Sequence, residues 1–236
     1  MTKGLAIMLR VLLALGLVFC VLALVGGTLA DCAMDARQML QKFERYADTA
    51  PNGVDSEAYP ALAEAITGYL KGDLETAQVE VPHHGVPGPA FQNHELQHLQ
   101  DVRWLVQLGR TLRTAALVLL AVVLIGYLLL RKSQAPLFAA IAIDRAMLWA
   151  ALLWVALLAV VGEWALVDFP GLFYALHRLA FTNDLWLLDP GKDLLLQLMP
   201  LELFTSYAWD LLKQNAFVLL VLPLAAFGLR AARKAA

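Results

Sequence analysis

The chain predicts an all-α integral membrane protein: four transmembrane helices, a small extracytoplasmic α-rich cap and interfacial helices. Three observations carry that expectation. Hydrophobic residues fill 60% of the 236 positions and charged residues 16%, against roughly 45–50% and about 25% in soluble domains. The apolar residues are gathered into runs long enough to cross a bilayer. Lysine and arginine collect at alternate ends of those runs.

The first run, Val11 to Leu29, has no charge over 19 residues. Thr114 to Leu130 is 17 long and extends backwards through a more polar helix, and Ala146 to Val167 is 22 long with Glu163 as its one charge. Ala216 to Leu229 has only 14 residues, short of the roughly 20 that a helical span needs. Read back to Leu201, it becomes a helix of ample length whose outer half carries Ser206, Asp210, Lys213 and Gln214. Polar groups on a spanning helix must face protein or water, because lipid cannot satisfy them. The expected spans are therefore 11–29, 112–130, 146–167 and 208–229 of one membrane domain covering 1–236.

Orientation follows from the cations near the span ends. Lys3 and Arg10 precede the first span, Arg131, Lys132 and Arg145 lie between the second and third, and Arg230, Arg233 and Lys234 follow the fourth. Four spans put all of them on one side, so both termini are expected in the cytoplasm. Segment 31–100, with 11 acidic and 4 basic residues, is then translocated. A cleaved signal peptide ending at Thr28-Leu29-Ala30 is the alternative for the first run, but that run exceeds the usual apolar length of about 7–15. Asp31 before Cys32 makes a poor lipoprotein-processing site. Cys20 and Cys32 on one helix would stand about 18 Å apart, too far for a disulfide. A net charge of −2 leaves no electrostatic footprint for nucleic acid.

The cap, 31–111, reads as helical from Ala33 to Ala47, with Met34, Met39, Leu40, Phe43 and Tyr46 at helical spacing. Ala50-Pro51-Asn52-Gly53 turns the chain. A second helix, capped by Ser56, covers Glu57 to Lys71 and ends at Gly72. Thr76 to Val81 alternates like a short strand, and Pro82 to Pro89 is expected to be irregular. From Asn93 a helix leads towards the second span. The outer segment 168–207 opens with Asp168-Phe169-Pro170, a helix start. Its aromatic and short amphipathic pieces suit the headgroup plane.

All five histidines, His83, His84, His94, His98 and His177, fall in these two outer segments. His94-Glu95-x-x-His98 matches the zincin signature, two imidazoles one turn apart with a glutamate base. No downstream residue clearly supplies a third ligand; Glu163, Asp168 and His177 are the possibilities. The same stretch also puts His98 and Asp101 on one helix face with Glu95 in reach. A carboxylate beside an imidazole fixes its tautomer and raises its basicity. That is a general-base arrangement without metal, and the plain alternative is an interfacial helix with solvated charges. His177 lies in an aromatic-rich helix near Asn183 and Asp184, and His83-His84 in a loop with no assigned role. G-x-S-x-G, P-loop and dinucleotide-binding glycine patterns are missing from the sequence.

Two stretches, Phe91-Gln92-Asn93-His94-Glu95-Leu96-Gln97-His98-Leu99-Gln100-Asp101-Val102-Arg103 and Asp168-Phe169-Pro170…Phe173…His177…Phe181-Thr182-Asn183-Asp184-Leu185-Trp186-Leu187-Leu188-Asp189-Pro190, together resemble motifs of the bacterial lipoprotein intramolecular transacylases. Those are four-span proteins of similar size, so the resemblance covers nearly the whole chain. It implies an acyltransferase that moves the sn-2 acyl chain of a diacylglyceryl-lipoprotein to the α-amine of its N-terminal cysteine, giving a lyso-form lipoprotein. The partners implied are diacylglyceryl-modified lipoproteins and membrane lipid; no cofactor is implied. The site would face the outer leaflet of the bacterial cytoplasmic membrane. Carried over, the catalytic residues are His98, expected as base, and His177, expected as oxyanion partner or acid, with the reverse assignment left open. Glu95 and Asp101 are expected to orient His98, with Asp168, Asn183 and Asp184 in support. His94 departs from the family pattern. A membrane-embedded zinc protease using His94, Glu95 and His98, with His94 and His98 as metal ligands, and a non-catalytic scaffold are the alternatives.

Overall fold

The computed structural model of the protein describes residues 3–130 and 143–213, together with positions 224, 227, 228 and 231. These residues are mostly helical: α1 (Lys3–Ala33), α2 (Ala36–Tyr46), α3 (Tyr59–Lys71), α4 (Asn93–Leu130), α5 (Ile143–Val167), α6 (Phe169–Ala180), α7 (Leu194–Leu198) and α8 (201–213). A hairpin of β1 (Glu80–His83) and β2 (Val86–Pro89) is inserted before α4. Three helices are long and apolar enough to cross a membrane, over Arg10–Ala33, Asn93–Gly126 and Arg145–Val167. The fourth expected span, 208–229, lies mostly outside the described residues, as does the basic connection Arg131-Lys132.

The chain forms two compact units. In the first, made by residues 3–26, 112–130, 143–167, 212–213, 224, 227, 228 and 231 among those described, large apolar side chains point outward: Leu12, Phe19, Val118, Val122, Leu152 and Val160 are all exposed. Small residues are turned in, with Cys20, Ala23 and Ala116 buried between Leu112 and Leu120. Helices solvated by lipid show this inversion, since hydrocarbon gains nothing by hiding leucine.

The second unit, Gly27–Thr111 with Asp168–Leu211, has a core of the water-soluble kind. Asp35 caps α2 by accepting the Gln38 N–H at 3.0 Å. Met39 and Phe43, four residues apart, are buried against α3, where Leu62 and Ile66 are also buried. Leu99, Leu194, Leu198 and Leu203 complete the core from α4, α7 and α8. The α3 start differs from expectation. Pro60 fits only a first helical turn, so α3 begins at Tyr59 and Ser56–Ala58 forms a separate tight turn.

The hairpin corrects the expected irregular Pro82–Pro89. His84 and Gly85 both have positive φ, 49° and 83°, the signature of a two-residue type I′ turn. Such a turn makes His83 and Val86 a hydrogen-bonded pair, so alternation puts Pro82 opposite Pro87 at a position needing no ladder bond. Pro89, opposite Glu80, sits at another. The prolines therefore cost the ladder nothing and remove donors from its outer edges. Proline content signals a loop only when its register is unknown.

Gly53 anchors the hairpin tip. Its φ is +61°, its carbonyl accepts the His84 N–H at 2.9 Å, and a Cβ there would run into the His84 ring. Gly53→Ala is expected to destabilise the protein by about 1–3 kcal/mol, read as a lower unfolding temperature in detergent. An unchanged temperature would show that the hairpin tip adds nothing to stability.

Candidate active site

The second unit brings together the two sequence segments singled out above. On one side is the start of α4. This helix has 38 residues, about 57 Å at 1.5 Å each, nearly twice a bilayer core. Its charge-free stretch begins at Thr114, so Glu95, His98 and Asp101 lie on the part outside the span. On the other side are α6 and the loop after it.

Asp168 caps α6, accepting the Gly171 N–H at 2.9 Å. Gly171 is the residue that fits, because a Cβ there would collide with the Asp168 carboxylate. One turn beyond Phe173, the His177 Nδ1–H donates to the Phe173 carbonyl at 2.8 Å. That bond fixes the tautomer: in the neutral ring, Nε2 holds the lone pair. The Phe173 ring lies 4.0 Å from the His177 ring, centroid to centroid. Phe181, whose N–H returns to the His177 carbonyl, ends the helix.

His98 is 8% exposed. Its ring centroid stands 6.4 Å from that of His177 and 5.1 Å from that of Phe181. Asn183 ties the two segments together, donating from Nδ2 to Asp101 at 2.8 Å while its Oδ1 accepts the Leu185 N–H. Asp184 is exposed and enters through its main-chain carbonyl, which accepts the Leu187 N–H.

The expectation that Glu95 and Asp101 orient His98 is corrected. Glu95 is wholly buried, and its two oxygens accept the N–H groups of Gln92 and Leu195, each at 2.7 Å. It faces the start of α7, where first-turn amides have no helical partner. Asp101 is engaged by Asn183 and reaches His98 only as a nearby charge. The His98 Nδ1 is buried without a hydrogen-bond partner among the described residues.

The zincin spacing is not gathered into a metal site either. His94 Nε2 lies 3.0 Å from Asp193, a buried carboxylate that also accepts the Asp189 N–H. Among the described residues no three of His, Cys, Asp and Glu stand close enough together to hold a metal ion. Asp193, Phe173, Phe181 and Trp186 are the surroundings that sequence reasoning had not weighed as site residues. Asp193 had one signal, its place directly before the buried Leu194 and Leu195.

Burial dominates the electrostatics. Desolvation pushes His98 from its ordinary 6.5 down to about 4, helped by the neighbouring His177 and opposed by Asp101. His177 is also lowered by burial, with its bond to the Phe173 carbonyl pulling the other way. Burial raises the Glu95 carboxyl, and its two amide donors oppose that. Both imidazoles are therefore neutral near pH 7, one with a fixed tautomer. Such a pair can accept a proton and donate an N–H without charging the site first.

A helical membrane protein with two neutral imidazoles in an aromatic setting is suited to acid–base chemistry. The description "Lipoprotein intramolecular transacylase Lit" belongs to the family model that matches residues 11–204. The chain belongs to this family of membrane enzymes. Its fold is similar to the in meso structure of Lit from Bacillus cereus, with TM-score 0.64 and 17% identity over 98% of this chain and 96% of that one. A form of that protein with one histidine changed to alanine gives 0.64 at 16%, covering 99% and 97%. A histidine-to-arginine form gives 0.59 at 16%, covering 96% and 95%. Comparison with curated proteins returns no match.

Two stability outcomes are expected. Glu95→Ala strands the buried Leu195 amide, at about 1–3 kcal/mol, and removes the part-buried bond from Gln92, whereas Glu95→Gln keeps the shape and one acceptor. Melting in detergent should therefore fall much further for alanine; equal losses would refute the assigned bonds. For His98, the unfolded chain binds a proton near pH 6.5 and the folded one near 4. Stability is then whole above 6.5 and declines as the pH drops to 4, by about 3 kcal/mol. Melting curves across that window should show the decline, and His98→Leu should remove the His98 share, leaving that of His177, which burial also lowers.

Proposed function

We propose that the protein transfers the sn-2 acyl chain of a diacylglyceryl-lipoprotein to the α-amine of its N-terminal cysteine, leaving a lyso-form lipoprotein. The observation that carries this reading is the pairing of His98 and His177, far apart in sequence, at a ring separation of 6.4 Å with the His177 tautomer set. An α-ammonium has a pKa near 7.7–8.0 and attacks only after deprotonation. Nε2 of His177 is the base for that step, because Nδ1 is already committed to the Phe173 carbonyl. Of the two assignments the sequence leaves open, this is the one with His177 as base. His177 releases that first proton to water, and the neutral amine nitrogen then bonds to the ester carbonyl carbon as its second proton moves to His177 Nε2. An N–H of neutral His98 supports the oxyanion, and the proton held by His177 passes to the departing glycerol oxygen as the ester bond breaks. Amine and ester sit on one substrate molecule, so the enzyme mainly selects a reactive conformer and moves protons.

The protein would sit in the bacterial cytoplasmic membrane as a four-span protein with both termini inside. The second unit would form the outer cap, its segment 168–207 at the headgroups. The exposed Tyr174, Leu176 and Leu179 on α6 support that placement. Membrane lipid would surround the site, and no nucleic acid partner is called for.

Mass spectrometry of a co-expressed lipoprotein, in a host without its own N-acylation, tests the reading. The intact protein should yield N-acyl monoacylglyceryl cysteine. His177→Ala and His98→Ala should each lower that yield about 100-fold or more. His98→Gln, which keeps an N–H donor, should retain more activity than His98→Ala, whereas His177→Gln should rescue nothing. Unchanged diacylglyceryl cysteine beside well-expressed intact protein would reject the proposal.

A further inference from the structure

We infer that Trp186, with Phe181, sets the partition between acyl transfer to the amine and acyl loss to water. The inference rests on the transacylase reading and deepens it. Three aromatic rings flank His177: Phe173 at 4.0 Å, Trp186 at 5.2 Å and Phe181 at 5.5 Å. Phe181 also meets His98 edge-on at 5.1 Å, so one ring touches both imidazoles. Trp186 lies between the His177 ring and the Tyr174 ring, the latter at 5.5 Å in an edge contact.

The placement of Trp186 is built, not incidental. It lies on an irregular loop, where no helix or strand dictates its direction. The loop is tied near one end by the Asn183–Asp101 bond and at the other by the Asp189 N–H to the buried Asp193 carboxylate. Within it Leu187 is exposed, while Trp186 is half-buried against the histidine.

The chemistry explains what such a cover would be for. A histidine base that assists an attacking amine can also assist an attacking water. In transfer, the amine nitrogen bonds to the carbonyl carbon, the carbon–oxygen bond to glycerol breaks, and the glycerol oxygen receives the proton. In the diverted reaction a water oxygen bonds to the same carbon and the same ester bond breaks. The products are then a free fatty acid and a monoacylglyceryl lipoprotein whose amine is still free. Nothing in the proton path separates the two outcomes. Exclusion of water does, and large rings around the base exclude it.

The test uses the full-length protein in detergent, a synthetic diacylglyceryl lipopeptide with a free N-terminal cysteine, and water labelled with heavy oxygen. N-acyl lipopeptide and free fatty acid are measured together. Intact protein and Trp186→Phe should give N-acyl product with little fatty acid. Trp186→Ala, and Phe181→Ala as a second variant, should raise the fatty-acid share roughly tenfold, each molecule carrying one heavy oxygen. The product ratio is set within each turnover, so a smaller folded fraction does not alter it. An unchanged ratio in both alanine variants would overturn the inference while leaving the transacylase reading intact. So would loss of both products in both variants, since water would not then be taking the acyl group. Absence of N-acyl product from the intact protein would instead remove the transacylase reading, and the inference with it.

Discussion

A carboxylate with no exposed surface holds the site together. Glu95 accepts one amide from its own helix start and one from Leu195, 100 residues away in sequence. A buried charge survives only when hydrogen-bond donors replace its water, so the two segments have to stay at the spacing these bonds need. One turn further along α4 stands His98, and a few residues before Leu195 lies the loop that covers His177. Asp193 repeats the arrangement, taking His94 and the Asp189 N–H. Leu194, Leu195 and Leu198 of α7, almost wholly buried, join the core beside this contact.

The pin explains why the imidazoles are as they are. Packing α6 and its loop against the start of α4 brings aromatic rings around both histidines, burying His98 and half-burying His177, and this keeps them uncharged. A neutral pair suits proton transfer between uncharged partners, and its environment disfavours charge that is not quickly neutralised. The single hydrogen bond from His177 to the Phe173 carbonyl then leaves the His177 Nε2 with the lone pair. Helix periodicity sets that bond, because Phe173 and His177 are four residues apart on α6.

The two units follow different solvent rules within one chain. In the spanning unit large apolar residues face out and small ones face in; in the other, leucine, phenylalanine and methionine are sealed inside. Composition and run length reveal the first rule, since an uncharged stretch such as 11–29 has no stable place in water. The second is partly legible. The spacing of Met39 and Phe43 and the stop at Gly72 locate α2 and α3, but Pro60 shifts the start of α3, and the prolines of 82–89 hide a hairpin.

By itself the sequence determined the helical membrane class, three of the apolar spans and the family through its two motifs. These are local properties: hydrophobic runs, helical spacing, and residue types at short intervals. It did not determine what Glu95, His94 and Asp101 face. At i−3 from His98, Glu95 has a stereochemical path to that ring, and only the packing of α7 sends it to Leu195 instead. His94 looked like a metal ligand until Asp193, 99 residues on, was found beside it. Partner choice among polar side chains depends on which distant segment arrives with unpaired amides, and that is decided only when the chain closes on itself.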